Sequence, residues 1–488
     1  MIQSDKHSVG VSITWSSYLD QAVFQQEGLI DWIEFEPQTT WLVTEPDSPE
    51  RAPYSILEHL QELGNHFLVH SVAAPVGGTS RPSDHHLELL RKTITALKAP
   101  WVSEHLSFNA SHGVSTGFFM PPRQTSAQIQ VIADNIRRLQ DSLGVPVAIE
   151  NGVSYLNPRT DEIPDGEFIA MVAEAADCGL LLDLHNAYTN AINGRQPLDE
   201  FLRGLPLNRV WEIHLAGGIR QDGFWLDAHS GAVPDELWPL IRDLPTKLAS
   251  LQVVNFEVFP SFLTVYSIEE VAAELGLIRS WISGSFSVAP SPKDDIQPKP
   301  LSLKHVSSLS PVFDRGDAWE AVLTSIVTSR EVVLDNTDAL PLRQDLVNEA
   351  GLTLVGELVF SFRASMVVQV LKLSTSLLLN TVGPDVLRQM LGDAFLNNPP
   401  VLYAFLEAQA FAQHVQVRGW KIPYLKELLD YELAVAQTLI DMKARVVQFP
   451  FEPMPLLRAL ADERIPDQIL QEGQFEIEIL PDTNLYLI

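Results

Sequence analysis

Cysteine and positive charge are both scarce in this chain. Its 488 residues include one cysteine, Cys178, which excludes an intramolecular disulfide and the multi-thiolate sites of structural zinc and iron–sulfur clusters. Lysine and arginine number 33 against 62 aspartates and glutamates, which gives a formal net charge of -29. Because a field of this sign repels a phosphate backbone, we expect no nucleic-acid partner.

Long apolar runs are also missing. Residues 1–10 are polar and contain no signal-peptide core, and the most apolar stretch, residues 365–379, is interrupted by Gln369 and Lys372. Hydrophobic residues make up 46% of the chain and charged residues 19%, which is typical of globular proteins and not of fibres or disordered chains. We therefore expect a cytoplasmic protein with no membrane partner.

The length predicts two or three domains, and a proline-rich segment indicates where they divide. Residues 289–300 read APSPKDDIQPKP, with four prolines and four charged residues. Such a segment cannot form a core element and is typical of a stiff linker. We predict a first domain over residues 1–288, a linker over 289–300 and a smaller second domain over 301–488.

The first domain alternates short apolar runs with amphipathic stretches, a pattern that favours an α/β fold. Residues 84–97 and 126–143 carry apolar side chains at steps of three and four, and Ser83 and Thr125 or Ser126 are suitable helix N-caps. Eight apolar runs predict a (β/α)8 TIM barrel. A doubly wound open sheet is the alternative, although no GxGxxG loop follows the first run. The predicted strands are residues 10–13, 32–36, 67–71, 101–103, 146–150, 180–183, 210–214 and 253–257.

The second domain has a different pattern. Residues 342–354 are mixed in character, and longer apolar-periodic stretches follow. We predict an α-rich domain with a small β portion, with helices over residues 360–391, 401–417 and 424–444 and strands over residues 446–451 and 475–480.

Polar side chains cluster where the predicted barrel strands end. The carboxyl ends of all barrel strands meet at one face, which is where such barrels build active sites. We therefore expect these side chains to lie together. The set comprises His70, Glu104, His105, Glu150, Asn151, Asp183, His185, Asn186, His214, Asp227, His229 and Glu257.

Imidazoles and carboxylates in one cluster favour borderline metals such as iron, zinc or manganese. A carboxylate can bridge two cations, and the set is large enough for two or three metal ions. From the residue types alone, a sugar isomerase or hydrolase that uses a divalent metal without redox chemistry stays open. So does a binding protein whose barrel has lost its activity.

Six motifs of the first domain resemble those of the multinuclear non-heme iron-dependent oxidative enzymes, a family that includes the iron enzyme of methanobactin biosynthesis. The motifs are HSVAAPVGG, SEHLSF, AIENG, LLLDLHNAY, EIHLAGG and DAHSG, and the resemblance covers residues 9–288. It implies a TIM barrel of the xylose isomerase-like type, two or three iron ions (Fe2+/Fe3+) as cofactors and dioxygen as co-substrate. The implied reaction is the oxidative modification of a ribosomally made precursor peptide, at cysteine or a neighbouring carbon.

The resemblance also implies which residues hold the iron. One ion would be bound by His70, His105 and Glu150, and Glu150 would bridge to a second ion bound by Asp183, His214 and Glu257. A third, weaker site would consist of Asn186, Asp227 and His229.

Three residues of the cluster are expected to act in catalysis: Glu150 and Asp183, which are also ligands, and His185. Many relatives carry asparagine at the position of His185. We therefore interpret this residue either as an extra ligand or as a base near the substrate.

The second domain resembles the small helical partner proteins that are encoded beside these enzymes. The similar stretches are SLLLNTVGPDVLRQMLGDAFLNNPP, at residues 376–400, and IPYLKELLDYELA, at residues 422–434. Such partners bind the leader of the precursor peptide and present its core to the iron site. The resemblance implies a natural fusion in which this domain replaces a separate partner, and a generic oligomerisation domain is the alternative.

Overall fold

A computed structural model describes residues 9–19, 23–24, 26–43, 49–284, 316–330, 339–466 and 470–481 of the chain. The predicted linker, residues 289–300, lies outside these ranges. The division of the chain into 1–288 and 301–488 therefore stays a prediction.

A closed barrel of eight parallel strands forms the first part of the chain. The last barrel strand pairs with the first, Gly10 with Val253 and Ile13 with Phe256, and this closure excludes the open doubly wound sheet. The predicted TIM barrel and all eight strand positions are confirmed. In order around the barrel, its strands are β1 (Gly10–Thr14), β2 (Trp32–Phe35), β3 (His66–Ser71), β4 (Val102–His105), β7 (Val147–Glu150), β8 (Gly179–Asp183), β9 (Val210–Ala216) and β12 (Val253–Glu257).

Helices follow most barrel strands and cover the outside of the barrel. The two predicted helices are confirmed at their exact predicted bounds, and their caps explain why they begin there: Ser83 accepts from the backbone of His86, and Thr125 from that of Gln128. The helices are α1 (Tyr54–Leu63), α2 (Asp84–Leu97), α3 (Ser126–Leu143), α4 (Asp165–Ala176), α5 (Leu184–Ile192), α6 (Leu198–Gly204), α7 (Leu237–Ile241) and α8 (Ile268–Ile282).

Two antiparallel hairpins extend the carboxyl end of the barrel, and the sequence interpretation missed both. They follow β4 and β9 directly. Their two-residue turns place His112 and Gly113, and Asp222 and Gly223, at positive φ. An Asp-Gly pair between short strands is a strong hairpin signal that was present in the sequence. The hairpins consist of β5 (Phe108–Ser111) with β6 (Val114–Met120), and of β10 (Gly218–Gln221) with β11 (Phe224–Asp227).

The second part of the chain is helical with one two-stranded sheet, as predicted. The region predicted as mostly helical over residues 360–391 belongs to three helices, because the chain leaves helical geometry at Leu371 and at Gly383, which has a φ of 81°. Residues 342–354, predicted as mixed, are mostly helical. The elements are α9 (Gly316–Val327), α10 (Ala339–Leu346), α11 (Ala350–Val370), α12 (Lys372–Thr381), α13 (Pro384–Asn397), α14 (Ala404–Arg418), α15 (Leu425–Asp441), β13 (Arg445–Phe451), α16 (Met454–Ala461) and β14 (Glu472–Ile479).

The two parts of the chain share an apolar cluster, which we call the shared cluster. From the barrel it takes residues of both hairpins and of the loop after β7, and from the second part it takes residues of α9, α10 and α11. A buried carboxylate reinforces the contact, because Glu320 of α9 accepts from the backbone (3.0 Å) and the hydroxyl (2.6 Å) of Thr79. The shared cluster includes Phe108, Met120, Tyr155, Leu156, Phe224, Leu226, Trp319, Val322, Leu323, Leu342, Leu346, Leu352, Leu354, Val355 and Val359.

Among the residues that the structure describes, α11 is the one helix long and apolar enough to cross a membrane by length and composition. The mean hydropathy of its most apolar window is 1.5. One face of α11 packs in the shared cluster through Leu352, Val355 and Val359, and its Arg363 pairs with Glu407 at 2.8 Å in the interior.

Replacing Trp319 by alanine tests how much the shared cluster stabilises the protein. The side chain is 3% exposed, and its indole N–H donates to the Pro121 carbonyl at 2.9 Å. We expect Trp319→Ala to lower the free energy of unfolding by about 3–5 kcal/mol, measured by urea denaturation. The matched control is Trp420→Ala, because Trp420 is 39% exposed, and we expect a change of about 0.5 kcal/mol or less. Equal effects of the two substitutions would contradict the prediction.

Candidate metal centre

The predicted ligands lie together at the carboxyl end of the barrel. His70, Glu150, Asp183 and Glu257 end or nearly end their strands, so that the barrel brings them to one face. Asp227 ends the second hairpin, two residues before His229. All of these residues are buried or half-buried.

One group joins the first two histidines to Glu150. The Nε2 atoms of His70 and His105 lie 3.4 Å and 3.2 Å from the same Glu150 oxygen, Oε2. The other nitrogen of His70 is 2.9 Å from the Ser103 hydroxyl, and the ring of His105 stacks on Phe119 with centroids 4.1 Å apart. Burial lowers the pKa of His70, which leaves its imidazole neutral and able to ligate a cation.

A second group surrounds the other oxygen of Glu150. His214 Nδ1 lies 4.0 Å from Glu150 Oε1 and 3.2 Å from Glu257 Oε2. Asp183 offers an oxygen within 4.8 Å of the ligand atoms of Glu150 and His214, and also of those of His229 and Glu257. Asp183 and Glu150 therefore lie where a carboxylate can contact more than one cation.

The third predicted group is looser. His229 Nε2 lies 3.1 Å from Asp227 Oδ1 and 3.2 Å from Glu257 Oε2. The backbone N–H of Asn186 donates to Asp183 Oδ1 at 2.7 Å, which caps α5 and holds the Asn186 side chain beside the cluster. Asp227 joins none of the compact three-ligand groups found among the described residues.

His185 has hydrogen-bond partners on both ring nitrogens. Its Nδ1 is 3.1 Å from Asp227 Oδ1, and its Nε2 accepts from the indole N–H of Trp225 at 3.3 Å. This arrangement corresponds to a neutral ring that donates through Nδ1. In this geometry no lone pair of His185 is free for a metal ion, and the ring instead orients Asp227.

Several buried atoms of the cluster make no hydrogen bond, although some of them lie at ion-pair distance from a neighbouring ligand. A buried polar atom without a hydrogen bond costs about 1–3 kcal/mol, so a concentration of them requires an explanation. These atoms are the nitrogens and oxygens that metal ions prefer, and they converge on one face of the barrel. The residues present therefore fit a multinuclear metal centre. The atoms are Glu150 Oε2, Asp183 Oδ2, Asn186 Oδ1, His214 Nδ1, and both ring nitrogens of His229.

Burial and neighbouring charges strongly shift the pKa values of several side chains in the cluster. Burial raises the pKa of Glu150, and burial with repulsion from Asp227 and Glu257 raises that of Asp183 to about 6. Burial opposes a charge on His229, but the Asp227 and Glu257 carboxylates outweigh it and raise its pKa to about 10. Protons thus compensate part of the negative charge, and a bound cation would take over that role.

Three carboxylates next to the cluster were missed, those of Glu34, Glu36 and Glu212. Glu34 Oε2 lies 2.9 Å from His214 Nε2, and the Trp101 indole donates to Glu212 at 3.0 Å. Burial raises the pKa of Glu34 to about 8, and burial with repulsion from Glu257 raises that of Glu36 to about 7. The signal was available, because alternation along WIEFE and WEIH places these glutamates on the inward face of their strands.

The contacts of two further residues, Glu104 and Cys178, are those of residues that stabilise the fold. Both Glu104 oxygens accept backbone N–H groups, those of Ala74 at 3.1 Å and of His105 at 2.7 Å. Cys178 is fully buried, and burial raises the pKa of its thiol to about 12, as expected for a small core residue.

Comparison with known proteins adds three relatives that share the description UPF0276 protein. The protein of Streptomyces avermitilis is 30% identical over 281 residues, which are 56% of this chain and 55% of the relative. That of Chromobacterium violaceum is 37% identical over 176 residues, 36% of this chain and 64% of the relative. That of Anaeromyxobacter sp. is 32% identical over 214 residues, 44% of this chain and 73% of the relative. The chain covers less than two thirds of the length of the first two.

Solved structures similar to the barrel include an L-ribulose 3-epimerase, with 14% identity and a TM-score of 0.35 over 56% of this chain and 95% of that chain. A xylose isomerase domain containing protein from Salmonella typhimurium has 13% identity and a TM-score of 0.38 over 58% of this chain and 100% of that chain.

A family model described as RiPP precursor modification enzyme MbnB/TglH/ChrH matches residues 8–274. RiPP denotes a ribosomally synthesised and post-translationally modified peptide. The matched segment is more than half of the chain, contains all the predicted ligands and agrees with the motifs in indicating an enzyme that modifies a ribosomally made precursor peptide. The protein therefore belongs to the MbnB/TglH/ChrH family of RiPP precursor modification enzymes.

Proposed function

We propose that the protein uses iron and dioxygen to modify a RiPP precursor peptide oxidatively, at cysteine or a neighbouring carbon. The observation that carries the proposal is the set of buried ligand atoms without hydrogen bonds at the barrel face, in a chain that belongs to a peptide-modifying family. We assign the predicted ligands to the iron ions: His70, His105, Glu150, Asp183, Asn186, His214, Asp227, His229 and Glu257.

Bound iron would supply electrons for dioxygen and an open coordination position for a substrate thiolate. The side chains of the chain do the positioning. Glu34 orients His214 by accepting from its Nε2–H, so that Nδ1 faces the cluster. His185 does the same for Asp227 through its Nδ1–H. We therefore assign His185 a positioning role and keep Glu150 and Asp183 as catalytic ligands.

Aromatic rings form the rim of the site. Phe119 covers His105, and Phe259, which is 45% exposed, packs edge-on against His229 with centroids 4.4 Å apart. An exposed aromatic ring beside a ligand is suited to contact the substrate peptide and to shield the reacting atoms from water.

We further propose that the second part of the chain binds the leader of the precursor peptide and so replaces a separate partner protein. Its docking through the shared cluster places it against the two hairpins that border the site. We place the reaction in the cytoplasm, where ribosomal peptides are made and cysteine thiols stay reduced.

Metal analysis of protein purified without oxygen tests the proposal directly. We expect two or three iron ions per chain and an optical or Mössbauer spectrum that changes when air is admitted. Glu150→Gln should lower the metal content at two positions, because Glu150 faces both groups of imidazoles.

The matched control is Glu174→Gln, an exposed glutamate on α4, which should leave the metal content unchanged. Zinc, manganese or magnesium without iron would instead favour an isomerase or hydrolase. The absence of metal would favour a binding protein.

Metal binding should release protons. In the metal-free protein His229, with a pKa raised to about 10, is protonated at neutral pH and must lose its proton before it can ligate. The apparent metal affinity should therefore increase between about pH 6 and pH 9. Calorimetric titration with ferrous iron in two buffers of different ionisation enthalpy measures the protons released. Equal heats in both buffers and a flat pH profile would refute the prediction.

Photo-crosslinking to the full chain tests the two peptide contacts. A precursor peptide encoded near the gene is synthesised with one photoreactive residue, either in the leader or next to a cysteine of the core. We expect leader crosslinks on residues after 300 and core crosslinks near Phe119 and Phe259, as mapped by mass spectrometry. Leader crosslinks on the barrel alone would contradict the role of the second part in peptide binding.

A further inference from the structure

We propose that Tyr155 is a positioning residue through which α11, in the second part of the chain, fixes Asp227 in the metal centre. The proposal rests on the function proposed above, because it concerns a metal ligand. It assigns the second part of the chain a task at the site itself, in addition to any contact with the peptide.

The loop after β7 connects the cluster to the second part of the chain. It begins directly after Glu150 with Asn151, whose side chain donates to the Asp183 carbonyl at 2.8 Å and accepts from the Asp183 N–H at 3.0 Å. The backbone N–H of Ser154 then donates to Asn190 Oδ1 at 2.9 Å. The start of this loop is therefore fixed to the helix that carries Asn186.

Tyr155 extends from this loop to the third group of ligands. Its phenol oxygen accepts the backbone N–H of Asp227 at 3.2 Å, and its ring packs edge-on against Phe224 at 6.1 Å. The side chain is buried in the shared cluster. Because Asp227 ends a short hairpin, this hydrogen bond holds its backbone, and its carboxylate then meets His185 and His229.

Helix α11 holds the other end of Tyr155. At Gly351 an added Cβ would lie 1.7 Å from the Tyr155 carbonyl oxygen, so that the two backbones are in direct contact. Two polar contacts fix the same loop. Glu349 accepts from the Asn157 N–H at 3.0 Å, and the buried Arg159 guanidinium pairs with Glu349 and with Asp345, the latter at 3.1 Å.

The geometry therefore forms a chain of contacts from α11 through Tyr155 to Asp227. A shift of the Tyr155 backbone would move or remove the acceptor of the Asp227 N–H. We expect the effect on metal binding to be confined to the site of Asp227, because Ser103 and Phe119 hold His70 and His105, and these two histidines contact Glu150.

Three variants of the full chain test this inference. Gly351→Ala places a methyl group against the Tyr155 carbonyl, and Tyr155→Phe removes the acceptor while keeping the ring. The matched control is Gly356→Ala on the same helix, because a Cβ there meets no atom within 4 Å. Each metal-free protein is titrated anaerobically with ferrous iron against a chelator, and its thermal unfolding is recorded.

We expect Gly351→Ala and Tyr155→Phe to bind the weakest iron equivalent about 10–100-fold less tightly, with the remaining equivalents unchanged. Gly356→Ala should match the wild type. If Gly351→Ala does not fold, the iron affinity of Tyr155→Phe still tests whether Tyr155 positions Asp227. Wild-type affinity in Tyr155→Phe, or a loss spread over all equivalents, would overturn the inference while leaving the proposed function intact. A Gly356→Ala protein as impaired as Gly351→Ala would also overturn it. A wild-type protein that binds no iron would overturn both this inference and the proposed function.

Discussion

Compensation of buried charge at the carboxyl end of the barrel is the constraint on which the rest of the structure depends. Carboxylates so close together in the interior repel one another and lose their hydration, and the cost is several kcal/mol per ion unless positive charge lies between them. The imidazoles meet this requirement. His214 lies between Glu34 and Glu257, and His229 lies between Asp227 and Glu257.

The layers of the barrel interior follow from the same constraint. Trp32, Trp101 and Trp211 pack against each other towards the amino ends of the strands and form an apolar floor. Above this floor, the Glu34 carboxylate forms hydrogen bonds with the side chains of Thr14, Asn255 and His214. Glu34 can therefore occupy the middle of the barrel, because the neighbouring strands supply donors to its carboxylate.

Much of the fold, and the gathering of the candidate ligands at one end of the barrel, could be predicted from the sequence. Most of the eight strands are short apolar runs with a histidine or an acid at or near the carboxyl end, and the barrel closure brings those ends together whatever the intervening sequence. Glu34 and Glu212 were missed because they lie inside strands, whereas the candidate ligands were sought only where the strands end. The hydrogen-bond partners of His185 could not be predicted, since Trp225 lies on a hairpin 40 residues further along.

The contacts between the barrel and the second part of the chain could not be predicted from the sequence either. Nothing in local sequence relates Gly351 to Tyr155 or Glu320 to Thr79, because these pairs are distant in the chain and arise only from docking. The helices themselves were predicted from periodicity. Their breaks at Leu371 and Gly383 were not, since the apolar pattern continues through them.

The shared cluster has a consequence for how the protein behaves on dilution. When two folded parts belong to one polypeptide, their association is intramolecular and does not depend on protein concentration. A pair of separate subunits with the same interface would dissociate at low concentration. The single polypeptide therefore fixes the ratio of the barrel to its helical neighbour at one to one, and the side chains of the shared cluster keep the two in contact at any abundance of the protein.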